Sequence, residues 1–198
     1  MVPLISSGIS GTVSSAMTAA SQFKRLPVEV IDSRITSMGL VAVILAAARA
    51  AEAEKSLQEV KEAAEKVVQG QHTFFAVDTL EYLHRGGRIN GASRYFGTAL
   101  EIKPILFFNE EGKIDALERV RTKKKALQRL ISLVEEKASG RPVRVGITHA
   151  NTPLEAQKFR DEVMQRLDCR EVFVVELSPV IGVHVGPGAI GISVYVEE

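Results

Sequence analysis

A serine- and glycine-rich stretch near the start of the chain has side chains suited to binding an anion. Residues 6–12 read Ser6-Ser7-Gly8-Ile9-Ser10-Gly11-Thr12 and lie between a short apolar stretch and a helical pattern. Four hydroxyls and the free N–H groups of a helix N-terminus can hold an anion, because the helix dipole favours negative charge there. Serine and glycine are equally common in ordinary helix caps, so a purely structural role stays open.

A single histidine lies in a second glycine-rich stretch, close to the end of the chain. His184 is flanked by Gly182, Gly186, Pro187 and Gly188. We predict that this stretch is a turn, in which the imidazole has few neighbours to pack against. An imidazole can hydrogen-bond an anion, and the anion in turn favours its protonation. The alternative is a surface histidine in a tight loop.

Two further segments stand out, one for a run of basic residues and the other for a pair of glycines. Arg119, Arg121 and Lys123 belong to the basic run 119–125, at the end of a predicted hairpin. Such runs usually form a solvated face, and the functional alternative is a surface that docks an acidic partner. Two consecutive glycines within residues 83–89 follow a helical pattern and are interpreted as the end of that helix.

Three kinds of catalytic or cofactor site find little support. Residues 186–191 match the dinucleotide fingerprint G-x-G-x-x-G, but a strand rather than a helix is predicted to follow them. Ser10 and His184 occur in the order found in serine hydrolases, yet the nucleophile elbow requires glycine where Thr12 stands. An esterase therefore remains only as the enzymatic alternative. No cysteine or histidine spacing indicates a metal.

The composition narrows the classes of partner and the compartment. The net charge is +1, which argues against the basic footprint of a nucleic-acid-binding protein. Cys169 is the single cysteine, so an internal disulfide is excluded and a reducing, cytoplasmic setting is expected. The longest apolar run covers residues 38–48, whereas a membrane-spanning helix needs about 20 residues. No integral membrane contact is expected.

The first 70 residues alternate between strand and helix patterns. After the opening apolar stretch, we predict a helix at residues 14–23 and a buried strand at 28–31. A helix that is apolar on nearly every side follows at 37–51, and an amphipathic helix at 56–70. Ser37 and Ser56 are the predicted caps of the two longer helices. A helix that is apolar all round needs neighbours on several sides. We therefore expect a mostly parallel sheet covered by helices on both faces.

The remainder of the chain combines hairpins with helical connections. Predicted strands cover residues 72–77, 102–108, 113–119, 143–148, 171–177 and 189–196, and predicted helices cover 79–84, 123–138 and 153–167. The turn 109–112 joins two of these strands as a hairpin. The pattern predicts a mixed α/β lobe. With a boundary near Gly70, the chain divides into an N-terminal lobe, 1–70, and a C-terminal lobe, 71–198.

Several segments also resemble a known family. These are residues 4–12 (LISSGISGT), 30–39 (VIDSRITSMG), 78–89 (DTLEYLHRGGRI), 103–106 (KPIL), 121–127 (RTKKKAL) and 183–191 (VHVGPGAIG). Taken in this order they are similar to the signature segments of the DegV family of bacterial fatty-acid-binding proteins. Each segment is modest alone, but together they span nearly the whole chain.

The resemblance implies a two-lobed DegV-like α/β fold that holds a long-chain fatty acid, such as palmitate or stearate, between its lobes. It implies no cofactor and no catalysis. The residues expected at the carboxylate are Ser6, Ser7, Gly8, Ser10, Gly11, Thr12 and His184, with the tail in an apolar tunnel. The family resemblance further implies that a separate fatty-acid kinase phosphorylates the bound carboxylate for phospholipid synthesis. Arg121, with Arg119 and Lys123, is expected to meet that kinase.

One departure from the family pattern affects the first lobe. The family's opening strand with Thr-Asp-Ser, and its Thr-Ser-Gln-Pro loop, have no counterpart here, so the lobe resembles a truncated one. Its sheet is expected to have an unpaired edge, which another copy of the chain can cover. A structural module that binds no ligand is therefore a third possibility beside the carrier and the esterase.

Overall fold

The computed structural model describes residues 1–97 and 102–196. Its strands are β1 (Val2–Leu4), β2 (Val30–Asp32), β3 (Gln71–Ala76), β4 (Lys103–Phe108), β5 (Ile114–Val120), β6 (Val143–His149), β7 (Cys169–Glu176) and β8 (Ile190–Val196). Its α-helices are α1 (Thr12–Gln22), α2 (Ser37–Glu52), α3 (Leu57–Gly70), α4 (Glu81–Arg85), α5 (Lys123–Ala138), α6 (Pro153–Arg166) and α7 (Pro179–Val185). A 3₁₀ helix covers Asn90–Tyr95.

The strands form a small parallel sheet and a larger mixed sheet. β1 pairs with β2 in parallel, and the larger sheet has the order β5-β4-β3-β8-β6-β7. In the larger sheet β6 and β7 are parallel, whereas the other neighbours are antiparallel. The predicted mixed α/β architecture, including the hairpin of β4 and β5, is confirmed. The division at Gly70 stays a prediction, although α3 ends there and β3 begins at the next residue.

The two faces of the larger sheet are covered by different helices. One face packs against α5 and α6, where Leu130, Ile131 and Phe159 meet inward-facing residues such as Ile147 and Ile192. Side chains alternate between the faces of a strand, so the neighbours of Ile147 and Ile192 point to the other side. That second face is only partly covered by α2, which contacts β3, β6 and β8. The uncovered part is where the cleft described below lies.

Helix α2 reaches the sheet at a glycine. A side chain at Gly146 on β6 would place its Cβ 2.4 Å from the Cβ of Met38 on α2. Met38, Gly39, Val43 and Ala47 are the buried residues of this helix. The helix that is apolar on nearly every side is thus held between the sheet and α3. None of the helices within the described residues has the length and apolar character that crossing a membrane requires.

Two local predictions are wrong. His184 lies in the helix α7 rather than in a turn. The sequence does not predict this helix, because its interior glycine and β-branched residues are poor helix formers. Pro179 in the first turn is compatible with a helix start. At the start of α2, the N-cap is Thr36, and Ser37 is the first helical residue with φ of 51°. Ser56 does cap α3, through a capping box with Glu59.

The close approach of α2 to the sheet can be tested with Gly146→Ala. The added methyl group would overlap Met38, and overpacking of this kind costs about 1–3 kcal/mol. We expect the free energy of unfolding, measured by chemical denaturation, to fall by that amount. Gly182→Ala is the matched control, because nothing lies near its Cβ position and it is helical. The control is expected to be neutral or stabilising, and equal losses in both variants would contradict the packing argument.

Candidate ligand-binding site

A cleft opens between the N-terminal residues and the partly covered face of the larger sheet. The space within it, including its open mouth, is about 910 Å³. Its wall is mainly apolar and is drawn from both halves of the chain: Ile5, Ile9, Phe75, Leu83, Phe108, Ile114, Leu177, Val180, Ile181, Val185, Ala189 and Ile190. The cleft is therefore suited to an apolar molecule of extended shape.

The polar side chains of the cleft carry hydroxyls, one guanidinium and one imidazole. They are Ser10, Thr36, Ser37, Thr73, Thr148, Ser193, Arg88 and His184. Within the described residues, no aspartate or glutamate lines the cleft, and no group of acidic, histidine or cysteine residues could hold a metal ion. Because its one permanent charge is positive, the polar part of the cleft favours an anionic group.

The first half of the serine-rich loop is used to hold the loop in place. Ser6 is fully buried, and its hydroxyl donates to the carbonyl of Gly112 at 2.7 Å while accepting from the Gly8 N–H at 3.0 Å. A Cβ at Gly8 would lie 2.5 Å from the same Gly112 carbonyl oxygen. The loop is thus pressed onto the hairpin turn between β4 and β5, and neither residue lines the cleft.

The other polar residues of the loop are less buried than Ser6. Ser7 is exposed, and its hydroxyl hydrogen-bonds a carboxylate oxygen of Asp32 at 2.5 Å. Ser10 lines the cleft and shares a hydrogen bond of 2.7 Å with the exposed hydroxyl of Thr12. Gly11 is the N-cap of α1, which has no side-chain cap. Among the residues of this loop expected at an anion, Ser10 is the one whose side chain lines the cleft.

His184 reaches the cleft from α7. Its ring lies against the backbone of α4, since a Cβ at Gly86 would be 2.1 Å from the Nδ1 atom. Nδ1 is buried and has no hydrogen-bond partner among the described residues. The structure brings His184 and Ser10, which are far apart in sequence, to one cleft.

Arg88 is a cleft residue that the sequence analysis missed. Its Nε donates to the carbonyl of Ile9 at 3.1 Å, and its Nη1 donates to the carbonyl of Gly86 at 2.8 Å. Both hydrogen-bond partners are neutral oxygens, and no carboxylate among the described residues forms an ion pair with Arg88. The double glycine before it was interpreted as a helix end only. No local sequence signal distinguishes Arg88, because a charged residue after two glycines is common.

The basic run extends from β5 into α5. Arg119 and Arg121 are exposed, and the Arg119 guanidinium lies 5.4 Å from the centre of the Tyr95 ring. Lys123 is half-buried and forms ion pairs with Asp78 at 3.5 Å and Glu155 at 2.7 Å. Arg119 and Arg121 are therefore open to a partner, whereas Lys123 is engaged within the chain.

Comparison with protein families identifies one match over almost the entire length. The model of the DegV family, described as uncharacterised proteins, matches residues 3–197. A DegV domain-containing protein of Streptomyces coelicolor is 41% identical over 191 residues, which are 96% of this chain and 67% of that relative. The chain thus spans about two thirds of the length of that relative.

Solved structures give the same match at the level of the fold. A DegV family protein from Thermus thermophilus, described for its fatty-acid binding, superimposes with a TM-score of 0.91 at 36% identity, covering 98% of this chain and 69% of that one. DegV from Bacillus subtilis, described as a fatty acid binding protein, superimposes with a TM-score of 0.86 at 35% identity, covering 99% and 71%.

The seating of His184 against Gly86 can be tested with Gly86→Ala. The glycine has φ of −78°, which alanine adopts freely, so the variant changes only the space beside Nδ1. We expect the imidazole resonances of His184 in NMR spectra to shift, while those of His72, which lines none of the cleft, stay in place. Unchanged His184 resonances would show that the ring is not held by Gly86.

Proposed function

Because the chain belongs to the DegV family, we propose that it binds a long-chain fatty acid in this cleft and acts as a carrier. The observation that carries the proposal is the composition of the cleft. An extended apolar wall meets a guanidinium that has no acidic partner among the described residues. An amphiphile with an anionic head fits both parts, and the names of the structural relatives describe fatty-acid binding.

The head group is assigned to three side chains. Ser10, Arg88 and His184 line the cleft and offer a hydroxyl, a guanidinium and an imidazole to a carboxylate. Hydrogen bonds to a charged group each contribute about 1.5–3 kcal/mol. The other loop residues predicted at the carboxylate are proposed to act indirectly, by fixing the loop: Ser6, Ser7, Gly8, Gly11 and Thr12.

The tail accounts for most of the affinity. Each buried methylene contributes about 0.8 kcal/mol, so a chain of the length of palmitate or stearate binds tightly without any covalent chemistry. The large apolar residues Phe75, Leu83 and Phe108 supply contact surface along the wall. Tail burial sets the affinity, and the polar side chains set the orientation.

The arrangement of Ser10 and His184 favours a carrier over an esterase. The Ser10 hydroxyl is paired with Thr12, and the Nδ1 edge of His184 faces Gly86. In a serine hydrolase, a carboxylate binds Nδ1 to orient the ring so that Nε2 can take the serine proton. Within the described residues, no acid occupies that place.

We further propose that a fatty-acid kinase docks beside the cleft and phosphorylates the bound carboxylate, in support of phospholipid synthesis. Arg119 and Arg121 are exposed at the end of β5. Lys123, two residues on, lies next to Gly188 in the turn that follows α7. The basic run therefore borders the segment that carries His184, and its charge suits an acidic partner surface.

The head-group assignment can be tested with Arg88→Met and binding of hexadecanoic acid. Loss of the charged hydrogen bonds should weaken affinity about 10- to 150-fold, measured by displacement of a fluorescent fatty acid. Arg85→Met is the matched control, since Arg85 lies three residues earlier at the end of α4, is exposed and pairs with Glu81.

The methyl ester of the same acid separates an electrostatic role from a structural one. It has the same tail and no charge, so Arg88→Met should weaken binding of the ester much less than binding of the acid. Equal weakening of acid and ester would mean that Arg88 only supports the fold. Unchanged binding of the acid would contradict the assignment of Arg88 to the carboxylate.

The kinase proposal can be tested with Arg121→Ala. Fatty-acid affinity should be unchanged, while acyl-phosphate formation with a bacterial fatty-acid kinase and ATP should slow, most strongly at low salt. Arg170→Ala, an exposed arginine on β7, is the control and should behave as wild type. Loss of lipid binding in Arg121→Ala, or full kinase activity at low salt, would contradict the docking role.

A further inference from the structure

The sheet face that forms the floor of the cleft continues beneath α2. Paired residues of β3, β8 and β6 form three successive rows on this face: Phe75–Gly191–Thr148, Thr73–Ser193–Gly146 and Gln71–Tyr195–Arg144. The first row lines the cleft, and the third lies under the helix. Four residues along a strand advance roughly 13 Å, so the path from Phe75 to Gln71 is a sizeable part of an extended acyl chain.

A second apolar cavity lies at the far end of these rows. It lies between α2 and the sheet, and its lining includes Met38, Val41, Leu45, Val67 and Tyr195 together with the charged residues Arg49, Arg144 and Glu171. Ser193 lines both this cavity and the cleft. The boundary between them includes Thr73, whose hydroxyl donates to that of Ser193 at 2.7 Å, and the side chain of Met38, which packs on Gly146 in the same row. Methionine has three rotatable side-chain bonds, so this side chain can move aside for an acyl chain.

Gln71 is the unusual residue of the second cavity. Only 9% of the residue is exposed. Neither the amide nitrogen nor the amide oxygen has a hydrogen-bond partner in the described parts of the chain. A Cβ on Gly39 of α2 would lie 3.0 Å from the amide oxygen, so the helix closes over the amide without pairing with it.

An unpaired buried amide has a physical cost that a ligand can remove. Native proteins pair nearly all buried polar groups, since an unsatisfied donor or acceptor is costly. A plain alkyl chain that ends beside Gln71 offers nothing to either amide atom. A hydroxyl offers both a donor and an acceptor, so one hydroxyl can pair with the amide oxygen or nitrogen.

We propose that Gln71 is a specificity-determining residue that selects fatty acids with a hydroxyl near the ω end of the chain. The inference rests on the proposed function, because the tail must run from the cleft into the second cavity. Its ligand class is narrower than long-chain fatty acids in general. The head group keeps its place at Ser10, Arg88 and His184, and the ω hydroxyl lies beside the Gln71 amide.

The test compares three ligands of equal length on the wild-type protein. These are hexadecanoic acid, ω-hydroxyhexadecanoic acid and α-hydroxyhexadecanoic acid, each measured by displacement of a fluorescent fatty acid. We expect the ω-hydroxy acid to bind at least tenfold more tightly than the α-hydroxy acid, whose hydroxyl stays near the carboxylate. This comparison needs no variant and is therefore independent of any effect of mutation on folding.

Gln71→Met then assigns the preference to the amide. Methionine has a similar length and no strong hydrogen-bonding group, so the variant should lose the preference for the ω-hydroxy acid and bind hexadecanoic acid more tightly than wild type does. Gln165→Met, an exposed glutamine on α6, is the matched control and should keep the wild-type order.

The outcomes separate this inference from the proposed function. If wild type binds hexadecanoic acid but does not bind the ω-hydroxy acid more tightly than the α-hydroxy acid, the role of Gln71 is overturned and the carrier function stands. If Gln71→Met still prefers the ω-hydroxy acid, the role of Gln71 is likewise overturned. If none of the three acids binds, the proposed function itself fails.

Discussion

The Arg88 guanidinium ties the candidate site together through two carbonyl oxygens. One belongs to Ile9 in the serine-rich loop, and the other belongs to Gly86 after α4. The first bond joins the serine-rich loop to the segment that follows α4, and the second fixes the turn against which His184 packs. Because neutral carbonyls orient the side chain without cancelling its charge, Arg88 remains available to an anion while it organises the cleft.

Two glycines around the cleft allow neighbouring segments to pack closely. Gly8 lets the serine-rich loop touch the hairpin turn, and Gly86 lets the His184 ring touch the backbone of α4. In each case a methyl group would overlap atoms of the neighbouring segment. These contacts depend on close approach rather than on unusual backbone angles, since Gly86 has ordinary helical dihedrals. The polar side chains are thus positioned by backbone contacts, and the ligand is left to meet the apolar wall.

Much of the fold follows from patterns that are local in sequence. The amphipathic spacing and capping box of α3, and the hairpin turn after β4, specify their own structure, so they could be predicted. Helix α7 could not, because glycine and β-branched residues hide it and tertiary contacts stabilise it. The serine-rich loop was recognised as a unit, yet the sequence could not separate buried Ser6 from Ser10 in the cleft.

Arg88 and Gln71 show where local patterns carry no information. The role of each depends on what lies across the sheet or the cleft: two carbonyls for Arg88, and an unpaired amide under α2 for Gln71. A charged residue after two glycines, or a glutamine at the start of a strand, is ordinary in sequence. Only the three-dimensional arrangement shows that, among the described residues, Arg88 has no acidic partner and the Gln71 amide has no hydrogen-bond partner.

Native mass spectrometry of the delipidated protein, reloaded with hexadecanoic acid, tests the central claim most directly. The account predicts one bound acid per chain, which stays bound under gentle ionisation and is released on denaturation. The same protein incubated with hexadecane, which lacks the carboxylate, should retain much less ligand. A delipidated and correctly folded protein that takes up no hexadecanoic acid would contradict the account.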